Sequence, residues 1–194
     1  AACWPHRSPH GRGQGYIADP PVVDEMDDVA RITGMPMCPR KSVFHALNQK
    51  ATARLHCERT GLVYEESNLI VAHMGGGISV GAHRQGKIVD VNNALDGDGP
   101  FAPDRAGSIP SSELIKVCFS GQYTREELLK YISSKGGMVA YLGTNSVMQV
   151  MERIEQGDQR AKKVLDACAT TYQSRSEPWP QPCRARGRHH PSPG

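Results

Sequence analysis

His73-Met74-Gly75-Gly76-Gly77-Ile78-Ser79-Val80-Gly81 decides the fold of this chain. Upstream, Asn68–His73 (NLIVAH) is a short apolar run with the length of a buried strand. Downstream, Ile78, Val80 and Ala82 alternate with Ser79, Gly81 and His83, the period of a second strand. A turn at residues 84–86 leads to Lys87–Val91 (KIVDV), a third strand. Three successive strands joined by tight turns make an antiparallel meander. Three adjacent glycines also leave backbone N–H groups uncovered, so an anion can approach the main chain closely. The dinucleotide fingerprint and the P-loop both require a helix after their glycines, because the helix N-terminus holds the phosphate. Here a strand follows and no G-K-[ST] ending occurs, so neither motif applies. On the glycines alone, a plain tight hairpin with no ligand stays open.

Outward from the meander the chain divides into three by composition. Residues 1–14 (AACWPHRSPHGRGQ) show no helical or strand period, and residues 173–194 are rich in Pro, Arg and Gly, with no apolar period. Such segments bury too little surface to offset the entropy of ordering, so both ends are expected to be irregular and the tail disordered. Residues 15–172 read as α/β. Val22, Val23, Met26, Val29, Ala30 and Ile32 predict a helix stopped by Gly34. Ser42 is placed to N-cap a second helix, with Val43, Leu47, Ala51 and Leu55 as its apolar stripe and Gly61 as its end. After the meander, Ser111 or Ser112 starts a short helix, and Thr124 with Glu127 forms a capping box for a helix over 125–134. Thr144 or Asn145 opens a helix through Ile154, and a last helix carries Ala161, Val164, Leu165 and Cys168.

Composition excludes several function classes. A formal net charge of +3, much of it in the arginines of the tail, is too weak to point to nucleic acid. The six cysteines form no C-x-x-C pair and no metal-ligand spacing with histidine, which fits thiols of a reducing cytosol. No apolar run approaches the ~18 residues of a membrane helix, and the N-terminus has no signal-peptide pattern. The expected setting is cytoplasmic, with no membrane partner.

The stretch Asn68–Gly107, NLIVAHMGGGISVGAHRQGKIVDVNNALDGDGPFAPDRAG, resembles the central region of the butyrate kinases. So do Gly15–Gly34, Arg40–Arg54 (RKSVFHALNQKATAR) and Lys135–Asn145 (KGGMVAYLGTN). That family belongs with acetate kinase in the sugar kinase, actin and Hsp70-like superfamily, in which glycine hairpins hold ATP phosphates. The resemblance implies an α/β, ribonuclease H-like domain with an antiparallel meander and flanking helices, incomplete here. It assigns residues 15–66 to the end of a first domain with interdomain helices and residues 67–172 to part of a second. It implies transfer of the γ-phosphoryl group of ATP, with Mg²⁺, onto butyrate to give butyryl phosphate and ADP, and homo-oligomers for the intact relative. The carboxylate acceptor is already ionised, so the reaction asks mainly for positioning and charge neutralisation.

The resemblance marks His45, in Ser42-Val43-Phe44-His45, as matching the histidine of the acetate kinase F-H-G motif, with Ala46 in place of the glycine. The alternative is a helix-surface histidine beside a core Phe. Arg105, in Pro103-Asp104-Arg105-Ala106-Gly107, resembles the arginine of T-R-S-G, a group able to bridge phosphoryl oxygens. The alternative is a loop arginine paired with Asp104. Asp19 resembles an aspartate near metal and phosphate, a candidate neighbour of Mg²⁺; the alternative is an Asx turn or the N-cap of the helix near Val22. His73, Gly75, Gly76, Gly77 and Ser79 match the second phosphate motif and are the candidate nucleotide-binding set. Asn92, Asn93 and Asp96 are expected to shape the face beside Arg105. His56 and His83 read as surface or strand histidines, and His6, His10, His189 and His190 support no metal site.

An Asn-Pro-Gly-Ser-type first phosphate turn, the upstream substrate arginine, an L-T-G-G-type adenosine motif and a C-terminal acidic metal contact belong to the family pattern and are not found in this sequence. The expectation is an internal fragment without turnover. Frameshifts near residues 173–186 and before Gly15 would account for the two ends, which the coding DNA tests. The competing readings are a branched-chain fatty acid kinase and a non-catalytic fragment able at most to dimerise.

Overall fold

The computed structural model describes the backbone of residues 6–7, 14–15 and 17–176 and the side chains of 17–173. Its centre is the meander: β3 (Asn68–Met74), β4 (Ile78–Arg84) and β5 (Lys87–Val91), antiparallel in that order. Met74 pairs with Ile78 across the glycines, so Gly75–Gly77 form the turn and a strand follows them directly. Gln85 and Gly86 turn β4 into β5 with φ of 50° and 79°, the left-handed pair that a two-residue hairpin needs. A bulge between Ala82 and His83 shifts the β4–β5 register. Two further short strands, β1 (His6–Arg7) and β2 (Gln14–Gly15), pair antiparallel, so residues 6, 7 and 14 of the segment expected to lack strands are in strands; the rest of segment 1–14 lies outside the described residues.

Period two in β4 sends its residues to opposite layers. Ile78 and Val80 pack with Ala102 and Cys168 on one side. Ser79, Gly81 and His83 face helix α2 (Ala46–Thr60) on the other, where Gln49 meets all three. Met26 and Phe44 cover Ile88 and Val91, and Ala53, Cys57 and Tyr64 cover Val71. After the meander come α3 (Ser111–Cys118), α4 (Arg125–Lys130), a π-helical turn at Tyr131–Lys135, α5 (Gly137–Leu142), α6 (Val147–Glu155) and α7 (Gln159–Ser176). Met138, Val150, Ala161 and Val164 join α5, α6 and α7 in one core cluster. The predicted Thr124–Glu127 capping box is present in full.

Three expectations need correction. The helix expected over 22–33 shrinks to α1 (Asp28–Arg31). Residues 23–27 instead run beside β5: Asp27 N donates to Val89 O at 2.9 Å, and Ile88 N donates to Glu25 Oε2 at 3.0 Å. Ser42 caps no helix; it is buried and donates to Val23 O, while His45 occupies the N-cap position of α2. The expected stripe of α2 faces outward, with Leu47 and Leu55 exposed, and the buried face is Ala46, Gln49, Lys50, Ala53 and Cys57. The last helix runs to Ser176, past the expected start of the tail; residues 177–194 lie outside the described residues. Among the described residues no helix is long and apolar enough to cross a membrane, and Cys38, Cys57, Cys118 and Cys168 are free thiols.

Candidate functional site

Two segments distant in sequence, the start of α2 and the loop at 104–105, meet the glycine turn. The first turn of α2 brings His45, whose ring stacks on that of His73 at the end of β3, with centroids 3.8 Å apart and planes 18° from parallel. His73 Nδ1 lies 2.9 Å from Asn48 Oδ1, an acceptor, so this nitrogen carries a proton. His45 Nδ1 lies 3.0 Å from the hydroxyl of Ser79, which is fully buried. From the far side comes the loop carrying Asp104 and Arg105. A side chain at Gly76 would press on Asp104 Oδ2 at 3.1 Å, and one at Gly77 would overlap the Arg105 guanidinium. The approach of the loop therefore demands glycine at 77 and presses on position 76, whatever else these residues do.

Arg105 is held by one edge. Its Nη1 donates to Ala94 O at 2.8 Å. Its Nε is buried without a hydrogen-bond partner, and so is Asp104 Oδ1, with 3.9 Å between them. That separation is too long for a hydrogen bond, so the expected alternative of an arginine absorbed by Asp104 is met only as a loose ion pair. A buried donor left unpaired costs about 1–3 kcal/mol, and an anion at this edge would remove that cost. Ala94 itself sits in a turn that the amides of Asn92 and Asn93 brace: Asn92 Nδ2 donates to Ile78 O and Asp98 O, and Asn93 Oδ1 accepts from the N–H groups of Leu95 and Asp96.

Asp19 lies apart from Arg105 but shares a groove with His45. This groove, of about 520 Å³, is walled by Ile17, Pro20, Pro21, Leu47 and Ala51. Asp19 has a φ of 41°, rare for a non-glycine residue, and its carboxylate stands 3.8 Å from both Lys50 Nζ and Arg54 Nη1. It caps no helix. A second cavity of about 530 Å³ opens on the other side of the turn, bounded by Gly75, Gly76, Pro103, Met138, Asn145 and Tyr172 among others.

Burial, then the charges of His73 and Arg105, pushes the His45 pKa down to about 4. Burial and then Arg105 lower His73 as well. His83 is pushed down to about 4 by burial and then by Lys50, with Glu25 opposing. These rings fold neutral, whereas unfolded histidines take up a proton near pH 6.5. Between about pH 6.5 and 4 the unfolded chain thus binds more protons, and stability falls as pH drops through that window. His83, 2% exposed, is expected to contribute a loss of roughly 2 kcal/mol between pH 7 and 5. Urea midpoints at the two pH values check this; an unmoved midpoint would contradict a buried neutral His83.

The model of the acetokinase family matches residues 37–175. The chain belongs to the acetokinase family. It is 59% identical over 152 residues to a probable butyrate kinase of Clostridium botulinum (strain Eklund 17B / Type B) and 57% identical over 152 residues to butyrate kinase 2 of Clostridium acetobutylicum. Each match takes in 78% of this chain, which spans 43% of the length of the curated relatives. Among solved structures, Porphyromonas gingivalis acetate kinase aligns over 77% of this chain and 40% of its own, with a TM-score of 0.71 at 22% identity. A Francisella tularensis propionate kinase covers the same 77% of this chain and 40% of its own, with a TM-score of 0.69 at 20% identity. The fold is thus the α/β, actin- and Hsp70-like one that the resemblance implied.

Of the expected site residues, the structure brings His45, His73, Ser79, Gly75–Gly77 and Arg105 together and sets Asp19 at the far side of the His45 groove. Ser79 turns its hydroxyl to His45 and Gln49 rather than to the open side of the turn. Asn48 and Gln49 were not foreseen, and Asp104 was expected only as a partner of Arg105. Gln49 could have been found from its position one helical turn after His45, on the face opposite the leucines.

Proposed function

We propose that this site serves transfer of the γ-phosphoryl group of ATP to a short-chain carboxylate, butyrate in the reading that the names of its relatives favour. One observation carries the proposal: the Arg105 guanidinium, with its Nε unpaired, meets the glycine turn beside the stacked His45 and His73. A guanidinium edge, one ring N–H from His45 and main-chain N–H groups of the glycine turn other than that of Gly75, which is spent on Gly77 O at 3.1 Å, are donors of the kind that a phosphoryl group in flight requires. The cavity beside Gly75 and Gly76 offers the nucleotide a wall of largely apolar residues, and the groove beside His45 offers the same to the alkyl part of the acid. One methylene in such a groove is worth only ~1–3 kcal/mol, so a branched acid is the nearest competitor of butyrate. In this reading residues 15–66 close the first domain of the family fold and residues 67–172 belong to the second.

Mg²⁺ fits the site only in company with the nucleotide. Among the described residues no group of three or more His, Cys, Asp or Glu is placed to hold a metal ion. Mg²⁺ on nucleotides keeps mostly phosphate and water ligands, with one or two carboxylates. Asp104, beside Gly76, and Asp19, in the His45 groove, are the carboxylates available. When bound, the ion would neutralise charge on the phosphate oxygens.

Titrating the ¹⁵N-labelled chain with ATP and Mg²⁺ tests the proposal. The amides of Gly75–Gly77 are expected to shift, and Arg105→Ala is expected to abolish the shift. Unmoved glycine amides at millimolar ATP would sink it. No turnover is expected from the 194-residue chain alone in a coupled assay with ATP, Mg²⁺ and butyrate. Turnover above a His45→Ala control would overturn the reading of an inactive fragment.

A further inference from the structure

A line of buried polar groups runs behind His45, and its direction can be worked out bond by bond. The Ser79 carbonyl can only accept, so the Gln49 atom 3.0 Å from it is the amide nitrogen. That nitrogen also donates to Ser79 Oγ, at 2.8 Å. Gln49 Oε1 then faces His83 Nε2 at 3.2 Å, and this ring nitrogen must carry the proton. His83 is almost fully buried and neutral, so its Nδ1 is bare and accepts from the Tyr64 hydroxyl at 2.8 Å. Ser79 Oγ, already accepting from Gln49, has its own proton left to give. Among the described residues its one remaining partner is His45 Nδ1, at 3.0 Å. Each donor in the line has an acceptor ahead of it: reversing the bonds of Gln49 or His83 would set like groups face to face, and reversing the Ser79–His45 bond would leave the buried Ser79 proton without an acceptor among the described residues. The Ser79 carbonyl anchors the direction, because it has no second state.

We infer that Tyr64, His83, Gln49 and Ser79 are positioning residues that fix the tautomer of His45, so that its ring enters the site as an Nε2–H donor. The inference rests on the phosphoryl-transfer reading for its purpose, but not for its test. His45 Nε2 has no hydrogen-bond partner among the described residues, and the ring lines the groove shared with Asp19. A proton held there is ready to donate to an anionic oxygen, while Nδ1 is closed to it by Ser79. The arrangement explains why α2 buries a glutamine where its sequence offers leucines. It also explains why Gly81 has no side chain, since a Cβ there would overlap Gln49 Oε1.

The test is to label the full chain with ¹⁵N-histidine and record long-range ¹H–¹⁵N spectra at pH 7, where each neutral ring reveals which nitrogen is protonated. His45 is assigned by its loss in His45→Gln. The wild-type chain is expected to show Nε2–H for both His45 and His83. In Ser79→Ala, His45 is expected to lose its single tautomer and show a mixture. Gln49→Met should do the same, because Ser79 then has no reason to donate rather than accept. An Nδ1–H form of His45 in the wild-type chain overturns the inference, and that measurement needs no variant to fold. An unchanged, pure Nε2–H form in both folded variants overturns it equally. The functional reading fails separately: if the Gly75–Gly77 amides ignore ATP while His45 shows Nε2–H, the relay stands and the phosphate site does not. If ATP shifts those amides while His45 shows Nδ1–H, the reverse holds.

Discussion

Gly137→Ala is expected to destabilise the fold by on the order of 4 kcal/mol, the upper end of single substitutions, lowering the melting temperature by roughly 8–16 °C for a domain of this size. Gly137 starts α5 with a φ of 64°. A side chain there would overlap the carbonyl oxygen of Ala102 and come within 2.7 Å of the carbonyl oxygen of Arg105. Both obstacles are backbone, so no side chain can swing aside to make room. The same carbonyls are already engaged: Met138 N donates to Ala102 O at 3.1 Å, and Ala102 N donates to Arg105 O at 2.9 Å. The loop at 102–106 thus hangs on the first turn of α5, with Val139 N bonded to Pro103 O and Ala106 N bonded to Ile132 O. Differential scanning calorimetry of the two chains checks the magnitude. A loss below about 1 kcal/mol, the ordinary cost of a surface change or less, would mean that the loop is not packed as described.

The coupling has a consequence for function. Arg105 takes its place from that loop, so a lesion at Gly137 should also misplace the guanidinium. The remedy in evolution would have to be a backbone change, not a side-chain one. Gly143→Ala makes the useful contrast: its φ of 74° is as unfavourable, but nothing stands within 4 Å of its Cβ. It should cost only the backbone term of about 1–2 kcal/mol.

The meander was legible because its signals are local. Period two, three glycines and the Gln85–Gly86 turn each act over a few residues, and the structure reproduces the three strands with their order. The helix expected near Val22 failed because helical spacing was present without helical partners. Met26 packs inward on Ile88, but Val22, Val29 and Ile32 remain exposed, and β5 takes the backbone bonds of Asp27 and the Glu25 side chain. In α2 the sequence reveals two faces and does not say which one is inner. The leucine face lost because β4 presents Ser79 and His83 to the helix, and only Gln49 among its residues satisfies both. Candidate site residues with a motif around them, His45, His73, the glycines and Arg105, could be proposed from the sequence, and the structure brings them together. Their partners Asn48 and Gln49 could not be so proposed, since a polar residue acquires its role only from a neighbour that the fold brings from tens of residues away.

Arg105→Ala is expected to lower kcat by about 10³-fold, the lower bound for an arginine that stabilises a transferring phosphoryl group. The measurement needs the whole cleft. It is best made by replacing the matching 152 residues of Clostridium acetobutylicum butyrate kinase 2 with those of this chain, and assaying the chimera with ATP, Mg²⁺ and butyrate. The geometry predicts more than loss of charge. Nη1 is spent on Ala94 O, which fixes the plane of the guanidinium. Nε, the donor left unpaired, shares the opposite edge with Nη2, and that edge is a two-pronged fork for a pair of oxygens. Lysine keeps the charge but cannot hold Ala94 and present a fork at once. Arg105→Lys should therefore recover little of the lost rate, well under a tenfold gain over alanine, while KM for ATP moves less than kcat. Near-normal turnover with lysine would reduce Arg105 to a point charge and remove the fork from the argument. Equal falls in kcat for Arg105→Ala and for a double variant with His45→Ala would show the two groups acting on the same phosphoryl as one unit. Independent, multiplying losses would place them on different oxygens or different steps.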